Sequence, residues 1–394
     1  MKETREFLIP DYYLEFSCKT GECRSACCVG WPITVSMRDY FFLLGVDCDE
    51  DLRKRIDCGV RIKNRPTEEE YARFEPRYDG NCPLRCEDGK CVLHAKLGED
   101  VLPDVCCLYP RGVRVENGEN ECSCANSCEK TLELLFKNEP ITFIKKKLTL
   151  RIPPVNERKV FFETLGLAQK IRLYLISVIQ DRSFPLPIRI VRLGEVMTKT
   201  EELAKAGNKE GLESVLNVPP HLLKVPIKTE EKPFSERLEY GLEIAERMTE
   251  FFDERSLSLK KYGEEALAYF RDGNAPLKKY EIAEAKFKKA YPEHEAFYEN
   301  VLVNHVFFSQ FPFQDREESA YNEFIAVCSV YALLRFLGLG VAAYADSYEK
   351  STLIDVFAAT FRMIEHTEYD RYASKLLRSL NCDEKQKLYD LLSL

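Results

Sequence analysis

The chain has 394 residues, with 57 Lys or Arg against 65 Asp or Glu, and its formal net charge is −8. This length can bury one large core or about two to three ordinary ones without a stabilising disulfide framework. The acidic balance offers no global basic field, so the charge argues against a nucleic-acid-binding protein.

The first residues predict a short extended or irregular lead-in. Lys2 to Phe16 alternates apolar and charged residues around Pro10. This segment has no apolar run of signal-peptide length, so we predict a cytoplasmic protein. In that compartment thiols stay reduced, and clustered cysteines bind metals more often than they form disulfides.

Short elements follow up to residue 128. Ile33-Thr-Val-Ser36 has strand character, and its serine is a suitable cap for a helix that follows. The dipeptide Asp88-Gly89 predicts a tight hairpin between Cys86 and Cys91, like those that present metal ligands. We therefore predict an irregular cysteine-rich module with short strands over residues 1–128.

Apolar residues then recur at helical spacing, which predicts a helical domain over residues 129–394. The predicted helices span residues 161–180, 188–206, 235–255, 259–272, 277–290, 293–309, 317–337, 350–366 and 383–393. Residues 207–235, which are rich in proline and charge, are predicted to be a loop or linker. No series of alternating strands and helices is present, so the predicted class is mainly α without a Rossmann-type sheet.

One apolar segment has the length of a membrane span. Phe324 to Ala345 carries Arg335 near its middle, so we interpret it as a buried core helix and predict no membrane insertion. The sequence Gly338-Leu-Gly340 does not follow a strand, and we interpret it as a helix terminus and not as a nucleotide-binding motif.

Fourteen of the 16 cysteines lie in the first 128 residues. Three chemistries explain this concentration: an iron-sulfur cluster, a zinc site that includes His94, or reduced core thiols. The adjacent pair Cys27-Cys28 suits a bulky cluster, or a division in which one thiol ligates and the other packs. Four isolated thiols are predicted to be buried packing residues, namely Cys48, Cys58, Cys328 and Cys382.

Several motifs occur in an order that resembles the flagellin lysine N-methylases and the related cysteine-rich proteins described as iron- or zinc-chelating. They are Cys23-x3-Cys27-Cys28-x2-Trp31, Asn81-Cys82-Pro-Leu, Gly89-Lys-Cys91-Val-Leu-His94, Cys106-x2-Tyr109-Pro110-Arg111, Ser127-Cys128-Glu129, Ile179-Gln-Asp-Arg182 and Glu299-Asn300-Val-Leu-Val-Asn304-His305. These segments are spread over nearly the whole chain.

The resemblance implies methyl transfer from S-adenosylmethionine to lysine side chains of flagellin, assisted by an iron-sulfur cluster, with a 4Fe-4S cubane expected and zinc as the alternative. The resemblance also implies seven metal-ligand candidates, namely Cys23, Cys27, Cys28, Cys82, Cys91, Cys106 and Cys128. The remaining thiols of the module, Cys18, Cys86, Cys107, Cys122 and Cys124, leave open a second metal, a disulfide or plain thiols.

Other side chains are weaker candidates. Tyr109, Arg111 and His305 are candidate catalytic residues, and Trp31 and Asn304 are candidate cofactor-binding residues. For each of them a packing or ion-pairing role is an equal or better interpretation. The alternative functions are a metal-chelating or electron-transfer protein and a zinc-stabilised interaction module. The sequence does not predict an oligomeric state.

Overall fold

The computed structural model describes residues 2–24, 26–30, 33–116, 119–152, 165–223, 232–252, 256–273, 275–313, 319–344 and 349–394. Contacts within the chain divide it into two units. Unit 1 comprises Met1–Lys130 and Phe143–Asn156, and unit 2 comprises Thr131–Thr142 and Glu157–Leu394. All the strands described lie in unit 1.

The strands of unit 1 form two sheets. In chain order they are β1 (Lys2–Pro10), β2 (Ile33–Val35), β3 (Val60–Ile62), β4 (Ala72–Phe74), β5 (Arg111–Glu116), β6 (Glu119–Cys124) and β7 (Phe143–Arg151). The larger sheet has the order β5-β6-β1-β7, and the smaller has the order β2-β4-β3. The lead-in predicted as extended is therefore a full strand, which pairs with β7 from Lys2 opposite Arg151 to Pro10 opposite Phe143.

Short helices surround the smaller sheet. They are α1 (Met37–Gly45), α2 (Glu50–Gly59), α3 (Val92–Leu97) and α4 (Asp104–Leu108). The predicted cap is confirmed, because the Ser36 side chain accepts a hydrogen bond from the Asp39 amide. Val35, Leu52, Ile56 and Leu93 are buried together against the small sheet. This apolar cluster is the core on which the central cysteines lie.

Unit 2 contains the long helices. Following α5 (Glu129–Leu135), these are α6 (Ala168–Ile179), α7 (Leu186–Lys205), α8 (Lys209–Leu216), α9 (Phe234–Phe252), α10 (Leu257–Arg271), α11 (Pro276–Ala290), α12 (His294–Phe308), α13 (Ala320–Tyr344), α14 (Lys350–His366), α15 (Tyr369–Ser379) and α16 (Lys385–Leu392). The mainly α class is confirmed, and no Rossmann-type sheet occurs among the described residues.

The central helix α13 is long and apolar enough to cross a membrane, yet 83% of its apolar window is buried inside the protein. It packs against α10, α11 and α15, as predicted for a core helix. Gly338 and Gly340 lie inside α13, so the prediction of a helix terminus there is wrong. A Cβ at Gly340 would lie 2.4 Å from the Ala266 Cβ, which shows that the glycine permits close helix packing.

Two other predictions differ from the structure. The predicted loop over residues 207–235 contains α8, which Asn208 caps by accepting a hydrogen bond from the Gly211 amide. Leu212, Val215 and Leu216 bury one side of this helix, and that burial offsets the turn-like composition. Residues 224–231 of the same stretch lie outside the described residues, as do 161–164 of the predicted helix 161–180. Helix α15 was not predicted.

Candidate functional site

Four of the seven predicted metal ligands share one support. Cys28, Cys82, Cys91 and Cys106 all pack against the core of the small sheet. The Cys82 amide donates to the Cys28 carbonyl oxygen over 2.9 Å. Cys91 pairs with Arg85 in an isolated bridge that closes the predicted hairpin. The fold therefore brings residues that are far apart in sequence to the same apolar core.

The charges of these four thiols influence one another. The Cys27 thiol donates a hydrogen bond to Cys28, and with the nearby Arg85 guanidinium it lowers the pKa of Cys28 to about 6. Burial raises the pKa of Cys82 to about 12, and the neighbouring charges of Cys28 and Cys91 raise it further. Burial likewise raises the pKa of Cys106. A cation bound between them would stabilise several thiolates here.

Cys23 and Cys128 lie in unit 1 beside the buried carboxylate of Glu129. Lys19 Nζ lies 2.8 Å from Glu129 Oε1, and Arg24 Nη1 lies 3.9 Å from the same atom. Burial raises the pKa of Cys23 to about 11, and the charges of Glu129, Cys128 and Cys18 add to the shift. Cys27 contacts Cys28, and the charges of both Cys18 and Cys106 raise the pKa of Cys27.

The donor set fits an iron-sulfur cluster or zinc. Thiolates bind both, and an apolar core behind the thiols holds their backbone in place. As placed, no three His, Cys, Asp or Glu side chains of the described residues are arranged to hold a metal ion. Cysteine has one rotatable side-chain bond, so closing a site around a metal requires rotation about that bond or a small backbone shift.

The remaining thiols are dispersed. All sixteen cysteines are free of disulfide bonds. Cys122 and Cys124 are buried in β6, where the Tyr12 hydroxyl oxygen accepts a hydrogen bond from the Cys124 amide. The predicted burial of Cys328 and Cys382 is confirmed, whereas Cys58 is exposed and its predicted burial is wrong. Cys58 occupies the solvent side of α2, whose other side provides Leu52 and Ile56 to the core.

Cys48, Cys86 and Cys107 are half-buried. Cys48 Sγ lies 3.6 Å from Arg53 Nη2. Cys107 donates to Glu99 Oε1 over 3.6 Å, and burial raises its pKa.

The candidate catalytic residues of unit 1 have structural contacts. The Tyr109 hydroxyl hydrogen-bonds with Ser127 Oγ over 3.1 Å. Arg111 lies over the ring of Phe16, with 5.1 Å between its guanidinium carbon and the ring centroid. These contacts hold the ends of β5 and β6. Trp31 lies outside the described residues.

In unit 2, the motif residues Arg182 and Glu299 belong to a charge network around the buried Glu299 carboxylate. Arg182 binds the Glu299 carboxylate through Nε and Nη2, each at 2.9 Å. Arg189 also donates to Glu299 and binds Glu295 Oε1 over 2.9 Å. The sequence analysis missed Arg189 and Glu295, although charged residues at helical spacing within apolar helices were a visible signal. The network fastens the turn between α6 and α7 to α12.

Asn300 and His305 lie on the same buried helix. Asn300 Nδ2 donates to the carbonyl oxygens of Leu135, Lys137 and Glu139 over 3.1 to 3.2 Å, so it holds the turn after α5. Burial lowers the pKa of His305 to about 4, and its Nδ1 has no hydrogen-bond partner among the described residues. Asn304 is also buried in α12.

Comparison with known proteins gives three relatives. Lysine-N-methylases of Salmonella typhimurium (strain LT2) and Salmonella choleraesuis (strain SC-B67) are each 22% identical over 196 residues, covering 50% of this chain and 48% of the relative. The flagellar biosynthetic protein FliU of Salmonella muenchen is 26% identical over 139 residues, covering 35% of this chain and 82% of FliU. The match thus spans about half the length of the lysine-N-methylases. No solved structure matches the chain.

A family model also matches unit 2. The model described as the FliB lysine N-methylase C-terminal domain matches residues 172–394, which is more than half of the chain. The matched segment includes the Arg182, Arg189 and Glu299 network and the buried helix α13. The chain therefore belongs to the FliB lysine N-methylase family.

Proposed function

We propose that this chain transfers methyl groups from S-adenosylmethionine to lysine side chains of flagellin. The observation that carries the proposal is the family match over residues 172–394. The names of two relatives, lysine-N-methylase and flagellar biosynthetic protein, support the reaction and a flagellar substrate. Each relative is only 22% to 26% identical to this chain, so donor and substrate are part of the proposal.

The proposed reaction requires a neutral amine. Free lysine has a pKa of about 10.4, so deprotonating it near neutral pH costs about 4 to 5 kcal/mol. The neutral nitrogen then attacks the methyl carbon of the sulfonium as the carbon-sulfur bond breaks, and the product ammonium loses a proton. His305 is a poor base for the first step, because its pKa is about 4. Desolvation of the acceptor lysine is the better route.

The proposal includes an iron-sulfur cluster in unit 1. Cys28, Cys82, Cys91 and Cys106 would hold it, because they share one apolar support and influence one another's charge. Such a cluster would supply an iron atom that binds a small ligand if only three of these four thiolates ligate. The Arg85 guanidinium, which already favours the thiolate of Cys28, would reduce the charge repulsion between the four thiolates.

The test combines metal analysis with a methylation assay. Anaerobically purified protein is incubated with flagellin and S-adenosylmethionine that carries an isotopically labelled methyl group, and flagellin peptides are analysed by mass spectrometry. We expect labelled methyl groups on lysine, loss of labelling in Cys82→Ser, and unchanged labelling in the exposed-thiol control Cys58→Ser. Absence of label with iron-loaded wild-type protein would contradict the proposed function.

A further inference from the structure

We propose that a cavity in unit 2 binds the methyl donor S-adenosylmethionine. The cavity has a volume of about 510 Å³ and is lined by residues of α7, α13 and α16 together with Leu223. The identity of the ligand rests on the proposed function. The assignment of the site is tested by ligand binding, which is measured without flagellin and without methyl transfer.

One side of α7 forms the longest wall of the cavity. Its lining residues recur every three to four positions, which places them on one face of the helix. They include Val191, Glu195, Thr198 and Glu202. Gly194 lies on the same face, and a Cβ added there would lie 2.4 Å from ring atoms of Phe324. The absence of a side chain at Gly194 therefore lets the aromatic wall from α13 approach α7.

The other walls come from three separate segments. Helix α13 contributes the rings of Tyr321 and Phe324, whose centroids are 5.7 Å apart. Helix α16 contributes the buried Leu388. Leu223 is held in place because its carbonyl oxygen accepts a hydrogen bond from Arg192 Nη2 over 3.2 Å. Packing and hydrogen bonds within unit 2 thus form the cavity before any ligand binds.

The size of the cavity suits a small molecule. Ligand sites usually have volumes of about 300 to 1,000 Å³ and combine apolar walls with a few polar groups. At about 510 Å³ the cavity holds a nucleoside-sized molecule, and the slender side chain of a lysine would leave much of it filled with water. Thr198, Lys199 and Glu202 are exposed at its rim, so a ligand enters from solvent.

The charged groups of the cavity match the amino acid part of the donor. Two carboxylates, Glu195 and Glu202, and two ammonium groups, Lys199 and Lys385, line it. Glu195 Oε1 and Lys385 Nζ form an ion pair with each other at 2.7 Å. Lys199 and Glu202 lie three residues apart on the exposed rim. They are suitably charged to bind the carboxylate and the ammonium of an α-amino acid, respectively.

The aromatic wall suits the rest of the donor. A base stacks on aromatic side chains, and a cation such as a sulfonium is attracted to the face of an aromatic ring. Tyr321 and Phe324 provide such rings. A nucleoside triphosphate would instead place several negative charges beside Glu195 and Glu202. The charge of the cavity therefore favours a zwitterionic head group over a phosphate chain.

Calorimetric titration of the full chain with S-adenosylhomocysteine, the product of methyl transfer from the donor, tests the assignment. Thr198→Trp fills the cavity from an exposed position and is expected to weaken binding at least about tenfold. Lys205→Trp is the matched control, because Lys205 lies on the same helix, is 59% exposed and does not line the cavity. Lys205→Trp and Cys82→Ser should both bind with the affinity of the wild type.

Two charge variants test the orientation of the ligand. Lys199→Ala and Glu202→Gln should each weaken the binding of S-adenosylhomocysteine about tenfold, because each removes one charged partner of the head group. Neither should change the affinity for methylthioadenosine, which has the base and the sulfur but lacks the amino acid head. An equal loss for both compounds would contradict this orientation, because it would show a general effect on the cavity.

The possible failures of the site and of the function are distinguishable. Equal binding by the wild type and Thr198→Trp would overturn the site and leave the proposed methyl transfer standing, as would loss of binding in Cys82→Ser. A wild type that binds neither S-adenosylhomocysteine nor S-adenosylmethionine would contradict both the site and the donor. If Thr198→Trp does not fold, as judged by circular dichroism, the exposed variants Lys199→Ala and Glu202→Gln decide the outcome.

Discussion

At the scale of single residues, the buried charges of unit 2 are compensated pair by pair. Glu299 has a side chain that is 1% exposed and meets Arg189, whose side chain is 2% exposed. Glu295, the second carboxylate on Arg189, is 55% exposed. The two carboxylates bind the same guanidinium, but only the first is removed from water. They therefore form a matched pair for measuring what burial contributes.

Glu299→Gln is expected to destabilise the protein by about 3 to 5 kcal/mol, because it leaves the buried charge of Arg189 without its main partner. Glu295→Gln should cost less than about 1 kcal/mol, since water replaces an exposed carboxylate. Urea unfolding followed by the helical circular dichroism signal measures both values. Equal effects of the two substitutions would contradict the assignment of Glu299 as the buried centre of this network.

His305 makes stability depend on pH. Burial lowers its pKa from 6.5 to about 4, so the unfolded chain binds a proton that the folded chain resists. The free energy of unfolding is therefore unaffected by His305 above pH 6.5. It falls as the pH drops toward about 4, by about 3 kcal/mol in all. His305→Gln should remove this part of the acid sensitivity, and His221→Gln, at an exposed position, should not. If the free energy of unfolding depends on pH equally in the wild type and in His305→Gln, this prediction is wrong.

At the scale of elements, close helix packing in unit 2 depends on glycine, which has no side chain. Gly340 lets α13 approach α10, because an added Cβ would lie 2.4 Å from the Ala266 Cβ and 3.3 Å from its Cα. Gly45, at the end of α1, has no atom within 4 Å of the same added group. Both glycines lie in helices, but only one lies at a close helix-helix contact.

Gly340→Ala is expected to destabilise unit 2 by about 1 to 3 kcal/mol, because α10 and α13 must separate to make room for the methyl group. Gly45→Ala should be neutral or slightly stabilising, since alanine favours the helix and meets no neighbour. Thermal unfolding of the two variants beside the wild type provides the comparison. A stabilising effect of Gly340→Ala would show that the two helices are not in close contact.

At the scale of the whole molecule, the two units differ in their source of stability. Unit 1 contains both sheets and fourteen of the sixteen cysteines, whereas the long helices of unit 2 bury an extensive apolar core. Metal binding adds its free energy to the folding of the part that contains the ligands. Loss of the proposed metal is therefore expected to affect the units unequally.

Removal of the proposed metal with a chelator should increase hydrogen exchange in peptides from residues 33–108, while peptides from 168–394 keep their protection. The reason is that the four proposed ligands Cys28, Cys82, Cys91 and Cys106 pack on the core of β2, β3 and β4. Addition of the metal should restore the lost protection. Uniform exchange in both units after chelation would contradict separate stabilisation. Unchanged exchange over 33–108 would show that metal binding does not stabilise unit 1.

Sequence periodicity was sufficient for the long helices, because burial of one helix face imposes a regular spacing of apolar residues. Local residue types predicted the Ser36 cap and the hairpin before Cys91, which depend on local hydrogen bonds. Periodicity was insufficient to predict α8, because its apolar face is short and its flanks have a turn-like composition. The sequence did not predict the close contact at Gly340 either, because a glycine does not indicate which residue packs against it.

The sequence by itself determined a mainly α protein with a cysteine-rich start, since composition and spacing are properties of the chain alone. Only the tertiary structure decided that Phe143–Arg151 leaves the helical part and pairs with β1. It also placed Cys28, Cys82, Cys91 and Cys106 on one core, and Cys23 and Cys128 beside Glu129. Contacts between distant segments depend on which apolar faces and charges bury one another, and spacing along the chain does not encode that choice.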